Sequence, residues 1–283
     1  MVYHKTVNVL QDGNVLAEYG PMRLMIFASV GKVPQREIGL KAAEESFKYL
    51  ERVAHLRNSL SKKLALVPEA MDDPLGITMV RSVLAVGDMD LTPMAAVAGT
   101  IADAVADFLV GRGMTRVTVD NGGDLALRLT GGTPMAVGIR TDLKEKEASH
   151  VIALESDRVS WGIATSGIGG RSLTRGVATA VTIIAGRSSL ADAAATAVAN
   201  ASFVEDPRVV QRPAEEIDPN TDIAGLPVTV KVGTLSEEKK GVALSGAIKR
   251  ARELVRDGTI LGALVAVQGK VTMTDFCRQR LVT

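Results

Sequence analysis

Two alanine-rich runs constrain this chain more than any other feature. "IADAVAD" (Ile101–Asp107) and "LADAAAT" (Leu190–Thr196) read as matching stretches of helix, with Asp103 aligned to Asp192 and Asp107 to Thr196. Side chains this small leave a helix little to bury except by close backbone approach, so the runs predict two helices packed tightly together. Aromatic residues make up only 3% of the chain against 46% apolar overall, so the core must rest on Ala, Val, Leu and Ile. Each run also adjoins a valine-rich strand pattern and a glycine-rich turn. The chain therefore reads as a single domain over 1–283 with an internal repeat around 84–130 and 160–201.

The segments between the runs fill in an α+β pattern. "TVNVLQDGNVLAEYG" alternates around an Asp12-Gly13-Asn14 turn and "MRLMIFASV" follows, which predicts a β-meander. Residues 35–60 carry a helical stripe through Ile38, Ala42, Phe47, Leu50 and Val53 beside a charged face. "ITMVRSVLAV" reads as a strand because it is rich in β-branched residues. "LTPMAAVAGTIADAVADFLVGRG" reads as a helix, with Thr92 at its cap, Pro93 at its first position and Gly113 past its end. "TRVTVDNGGDLALRLT" is strand, glycine turn, strand. "PMAVGIR" and "HVIALES" are further strands, and "VATAVTIIAG" is apolar enough to be a central strand buried on both faces. Residues 202–226 are the least patterned and read as a flexible, exposed excursion. A helix over "SGAIKRARELVRDG" and a hairpin around Gln268-Gly269-Lys270 close the chain.

Several classes of function are disfavoured. A net charge of +1 gives no electrostatic footprint for nucleic acid or an anionic membrane, and the scarcity of aromatics argues against base-stacking RNA modules. One cysteine, Cys277, cannot form an internal disulfide framework or a multi-cysteine metal site; a Cys277-dependent sulfur or redox role stays open as a minor alternative. His4, His55 and His150 show no ligand spacing. The amino terminus alternates like a strand instead of carrying an apolar signal region, and no uninterrupted apolar stretch is long enough to span a bilayer. These points favour a cytoplasmic protein acting on a small molecule, with a homo-oligomer compatible.

Asp192 and Thr196, four apart, share one face of the second alanine-rich helix. Two readings compete. Ser189 and Asp192 fit a capping-box pattern, with Thr196 returning its hydroxyl to the carbonyl one turn back. Alternatively, one carboxylate and one hydroxyl near a helix start suit a hard cation such as Mg²⁺ bound together with a nucleotide. That cation would need a phosphate cradle nearby, and "DNGGD" (Asp120–Asp124) and "TSGIGGRSLTRG" (Thr165–Gly176) offer glycine turns, with Arg171 and Arg175 to add charge. Trp161 is core by default, or a pocket wall.

Taken in order, "DLTPMAAVAGTIADAVADFLVGRG", "VTVDNGGDLAL", "GIATSG" and "AVTIIAGRSSLADAAATAVANA" resemble the ApbE-like proteins, the FAD:protein FMN transferases, over about residues 84–201. The resemblance implies an α+β, T-fold-related architecture with a duplicated α/β unit and mixed or antiparallel sheets packed on helices. It implies Mg²⁺ held by Asp192, Thr196 and the Ala98 carbonyl. It also implies a pocket for FAD or another nucleotide built from Gly99, Asn121, Gly122, Gly123, Asp124, Thr165, Ser166, Gly167, Arg171 and Arg175. The expected activity is nucleotidyl or flavin transfer or hydrolysis; the alternative is a non-catalytic flavin or nucleotide sensor. Two departures argue against full FMN transfer. Ala98 stands where the family has Lys before the helix glycine, and "IGGRSLTRGVAT" replaces the family's His-x-Ile-x-Asp-Pro-x-Thr-Gly stretch.

Overall fold

The computed structural model describes residues 4–67, 71–130, 134–142, 145–155, 158–170 and 172–282. The chain opens with strands β1 (Thr6–Val9), β2 (Val15–Tyr19), β3 (Met22–Val30) and the short β4 (Val33–Pro34), followed by helices α1 (Arg36–Leu60) and α2 (Pro74–Val86). A 3-10 turn, Pro93–Ala96, leads into α3 (Val97–Val110), then β5 (Arg116–Asn121) and β6 (Asp124–Leu129). Next come β7 (Met135–Ile139), β8 (His150–Leu154), β9 (Ser160–Ser166), β10 (Ala180–Ala185) and α4 (Ser188–Asn200). The last third holds β11 (Val209–Pro213), the single turn α5 (Ala214–Ile217), β12 (Pro227–Val232), α6 (Glu237–Arg256), β13 (Gly262–Val267), β14 (Lys270–Met273) and α7 (Asp275–Gln279).

Ten strands form one antiparallel sheet in the order β1-β2-β3-β5-β6-β9-β10-β13-β14, with β4 on β3; β7–β8 and β11–β12 are separate ribbons. The architecture is α+β, with helices packed on an antiparallel sheet. Period-two alternation sorts the central strands by size. Ala126, Ala164, Ile183 and Ala185 face the helices, while Leu127, Trp161, Ile163 and Ile184 face a second core closed by Ile152, Leu154 and Cys277. β10 is buried along its whole length between β9 and β13, as its apolar run predicts.

One expected strand is a helix. Residues 77–86 lie in α2, which starts at Asp73, whose carboxylate accepts from Leu75 N–H and Gly76 N–H, and ends at Gly87 in the left-handed region (φ 69°). The buried set Leu75, Met79, Ser82, Val83 and Val86 follows helical spacing, so the caps and the period outweigh the β-branched content. The 202–226 excursion is also more ordered than its composition predicts, since β11 and α5 lie within it and β11 pairs with β12. Trp161 is fully buried in the second core, its ring tilted against Phe276 at 6.3 Å, so it is no pocket wall. The span Pro93–Val110 has the length and mean hydropathy (1.5) of a membrane crossing, but it contains Asp103 and Asp107 and is largely buried against the rest of the protein.

The two alanine-rich helices, α3 and α4, pack directly on each other. A Cβ on Gly99 would sit 2.3 Å from the Ser188 carbonyl oxygen, and one on Gly162 would sit 2.0 Å from the Arg187 carbonyl carbon. These positions accept only glycine because backbone lies against backbone. The contact is then fixed by an exchange of carboxylates. Asp103 of α3 accepts from the Ser188 and Ser189 N–H groups that start α4, at 3.1 and 2.9 Å. Asp192 of α4 accepts from the Gly99 N–H in the first turn of α3, at 2.9 Å. Each helix thus supplies an acceptor for the other's orphan donors. The capping box expected within α4 is absent: Arg187 is the cap residue and gives no side-chain bond, and the Ser189 N–H points at Asp103 instead.

Three outcomes follow for stability. Gly99→Ala forces the helices apart and should lower the unfolding free energy by about 1–3 kcal/mol or more. Gly241→Ala, on α6 where an added Cβ meets nothing within 4 Å, should raise it by about 0.5–1 kcal/mol. Asp103→Ala leaves two helix N–H groups without their acceptor and the buried Arg128 with Asp107 as its remaining carboxylate, and should cost about 3–5 kcal/mol. Urea melts of the three variants against the parent chain read all of these.

Candidate functional site

The exchange of carboxylates is symmetric in its N–H bonds but not in its charges. Asp103 is 1% exposed and is met by Arg128 at 2.9 Å and Arg187 at 3.4 Å. The same two arginines reach Asp107, each at 2.8 Å. On the matching side stand Asp192 and Thr196, and among the described residues no Lys, Arg or His forms an ion pair with Asp192. Burial pushes the Asp192 carboxyl up to about 7, opposed by the N–H groups of Gly99 and Ala98 and reinforced by the charge of Asp103. One half of the pair is filled by guanidinium groups. The other opens on a cavity.

That cavity has two chambers that share Ala98, Val97, Asp124 and Ser172. The first, about 260 Å³, has an apolar wall of Met22, Leu50, Val97 and Ile101 facing Asn121, Thr165 and Ser166. Asn121 ends β5 and is followed by Gly122 (φ 68°) and Gly123 (φ 112°), a two-glycine hairpin loop that needs positive φ at both positions. The turn aims the Asn121 amide at the start of α3, where it donates to the Ala98 carbonyl at 3.1 Å. Ser166 ends β9; its hydroxyl is buried without a hydrogen-bond partner, and Thr165 shares a hydroxyl contact of 2.8 Å with Thr182. Gly167 follows at φ 141°, with the Thr179 carbonyl only 2.8 Å from where a Cβ would be.

The second chamber, about 370 Å³, holds Asp192, Thr196 and Arg175. The Thr196 hydroxyl lies 3.5 Å from the Asp192 carbonyl oxygen, a long contact that leaves its lone pairs open. Arg175 pairs with Asp90, while its Nε is buried without a partner. Of the remaining expected residues, Gly99 lies in the helix contact and lines neither chamber. Gly123 lies on the outer side of its turn, its N–H held by Asp120 at 2.7 Å. Arg171 lies outside the described residues. Sequence reasoning missed Asp90, Arg57 and the Asp218–Asp222 loop, all of which line the second chamber. The only signal in the loop is its run of turn-forming polar residues, which reads as plain exposure. Cys277 is wholly buried and burial pushes its thiol up to about 11, which disfavours the thiolate that sulfur or redox chemistry needs.

The donors near Asp192 fit a hard cation. Asp192 accepts from the Gly99 N–H on one oxygen and keeps carboxylate lone pairs to offer, the Ala98 carbonyl has a second lone pair beside its bond from Asn121, and Thr196 adds a hydroxyl. No group of three or more His, Cys, Asp or Glu ligands occurs among the described residues. A single-carboxylate set of this kind is what Mg²⁺ uses when substrate phosphates and water complete its shell.

Comparison with known proteins gives the family and the fold of the chain. A UPF0280 protein of Methanopyrus kandleri is 39% identical over 166 residues, covering 56% of this chain and 66% of that one. A UPF0280 protein of Methanococcoides burtonii is 31% identical over 150 residues, covering 53% and 62%. The matches thus span under two thirds of these relatives. The crystal structure of the ApbE protein from Thermotoga maritima covers 99% of both chains at a TM-score of 0.55 and 14% identity, which shows a shared fold. The apo flavinyl transferase ApbE of Pseudomonas stutzeri aligns over 99% and 96% at a TM-score of 0.46 and 14% identity. A family model described as "AbpE bacteria" matches residues 7–273, and the chain belongs to that family, as a divergent ApbE-like branch.

Proposed function

We propose that this protein binds a divalent cation, Mg²⁺ by the chemistry of its donors, together with a flavin or related nucleotide, and acts in nucleotidyl or flavin transfer or in hydrolysis. The observation that carries this reading is the charge asymmetry between the two aspartates. Asp103 has two guanidinium partners, whereas Asp192 has none among the described residues and faces a chamber. Asp192, Thr196 and the Ala98 carbonyl would hold the cation, which neutralises phosphate oxygens when bound. Arg175, with one donor unpartnered, is placed to pair with a phosphate. The first chamber, apolar on one wall and hydrogen-bonding on the other, suits a neutral ring. In this reading the protein works on small molecules in the cytoplasm.

A specific observation favours the non-catalytic alternative for flavin transfer itself. Neither chamber is lined by His or Lys among the described residues, so only carboxylates, the weaker bases at neutral pH, face the ligand there. Incubation with FAD, Mg²⁺ and candidate acceptors, followed by mass spectrometry, separates the two readings. A covalent FMN adduct or released nucleotide means catalysis; saturable binding with neither means a sensor.

The cation reading makes two measurable claims. At ligand concentrations about a hundredfold above Kd, Mg²⁺ with FAD or ADP should raise Tm by roughly 5–10 °C. Asp192→Ala should abolish that rise. The effect should also depend on pH. The Asp192 carboxyl titrates near 7 in the folded chain against an ordinary 3.8, so between these values the folded state keeps a proton that the unfolded chain has lost. Stability without ligand therefore falls as pH rises through this window, while cation binding, which needs the carboxylate, strengthens. The Mg²⁺-dependent Tm shift should be larger at pH 8 than at pH 6, and Asp192→Asn should flatten both trends.

A further inference from the structure

The second chamber is roofed by a segment that the chain reaches only after α4. Its base is the β11–β12 ribbon, fixed to the loop that carries Arg175. Gln211 Nε2 donates to the Arg175 carbonyl at 2.9 Å, the Thr229 hydroxyl donates to the same oxygen at 3.0 Å, and the Thr229 N–H donates to the Thr174 carbonyl at 2.8 Å. From this base the chain passes through α5 and crosses the chamber as Asp218–Leu226. Its tip meets the opposite bank twice. Arg57, near the end of α1, donates to the Asn220 carbonyl at 2.6 Å, and Thr92, before α3, bonds the Asp222 carboxylate.

The tip is built for contact with a ligand more than for the core. Asp218, Pro219 and Asn220 are exposed on the outside, yet Asp218, Asn220, Thr221 and Asp222 line the chamber that holds Asp192 and Thr196. Of the two contacts, Arg57–Asn220 is exposed and worth only about 0–1 kcal/mol, while Thr92–Asp222 is part-buried, so the tip rests on few bonds to the opposite bank. Arg57 adds an independent sign. Its hydrogen bond goes to a neutral carbonyl, and no carboxylate forms an ion pair with it among the described residues, so its charge remains open to an anion.

We infer that Asp218–Leu226 is a strap over the cation–phosphate chamber, and that Arg57 and Thr221 are specificity-determining residues for the phosphates of a nucleoside diphosphate. The inference rests on reading the chamber as a cation–nucleotide site. With ligand bound, Arg57 keeps the tip docked and directs its remaining donors at a phosphate oxygen, while Thr221 adds a hydroxyl from above. Asp222 holds the strap through Thr92 and positions both groups.

Isothermal titration of the full chain with ADP in excess Mg²⁺ tests this. The parent chain should bind, and Arg57→Ala and Thr221→Val should each raise Kd by about tenfold, equivalent to about 1.4 kcal/mol. Asp222→Asn should mainly speed dissociation, seen by stopped flow, and Arg57→Lys should recover part of the loss. Affinities within twofold of the parent in both Arg57→Ala and Thr221→Val would overturn the strap while leaving the cation–nucleotide reading intact. Failure of the parent chain itself to bind would overturn that reading and the strap with it. If a variant is unfolded, hydrogen exchange on the parent chain decides. Amides of residues 218–226 should be slowed by Mg²⁺ with ADP, and exchange that is unchanged despite measured binding would overturn the proposal.

Discussion

The exchange of aspartates between α3 and α4 is the contact on which the rest of this molecule depends. Helices of alanine and glycine can approach until their backbones touch, but close approach buries their amino ends, and buried N–H groups need acceptors. Asp103 and Asp192 answer that need for each other's helix. The sheet beneath follows the same demand, because Gly162 and the small residues around it give the start of α4 room to lie flat. A functional site then arises from one break in the symmetry. Where Arg128 and Arg187 fill the space beside Asp103, the space beside Asp192 stays open.

The two chambers divide chemistry in a way that follows from the elements that build them. The first lies between the β5–β6 turn, the end of β9 and the side of α3, so its walls are strand-end hydroxyls and amides opposed by helix-face aliphatics. The second lies at the junction of α4, the loop after β9 and the 218–226 segment, where loops deliver charged groups in quantity. Rigid secondary structure thus faces the part suited to a ring, and loops face the part suited to phosphates. Ala98 lies at the boundary, and its carbonyl is tied to the sheet by Asn121.

Much of this was legible in the residues. The alanine repeat, the Asn-Gly-Gly-Asp turn and the Asp192–Thr196 spacing led to one cavity, because each depends on short-range pattern. What could not be read were contacts whose partners are distant. The acceptor for the Ser189 N–H lies 86 residues away on α3, so a local capping box was the natural and mistaken reading. α2 was misassigned because Ile77, Val80 and Val83 weigh toward strand, although Asp73, Pro74 and Gly87 bracket a helix. The segment over the second chamber looked like solvent-exposed chain because turn residues are the same whether they face bulk water or roof a cavity. Only the landing points, Arg57 and Thr92, distinguish the two, and no spacing rule links them to residue 220.

The mutual capping also bears on how the chain acquires its structure. Neither helix has satisfied amino-terminal donors until the other is docked, so each is a poor autonomous folding unit despite its alanine content. The segment up to β6 and the segment from β9 onward therefore complete each other at their shared boundary. Cutting the chain between β7 and β8 would leave two halves that each hold a buried carboxylate without its amides and a helix without its cap. A defect at either amino terminus is therefore felt by both helices at once.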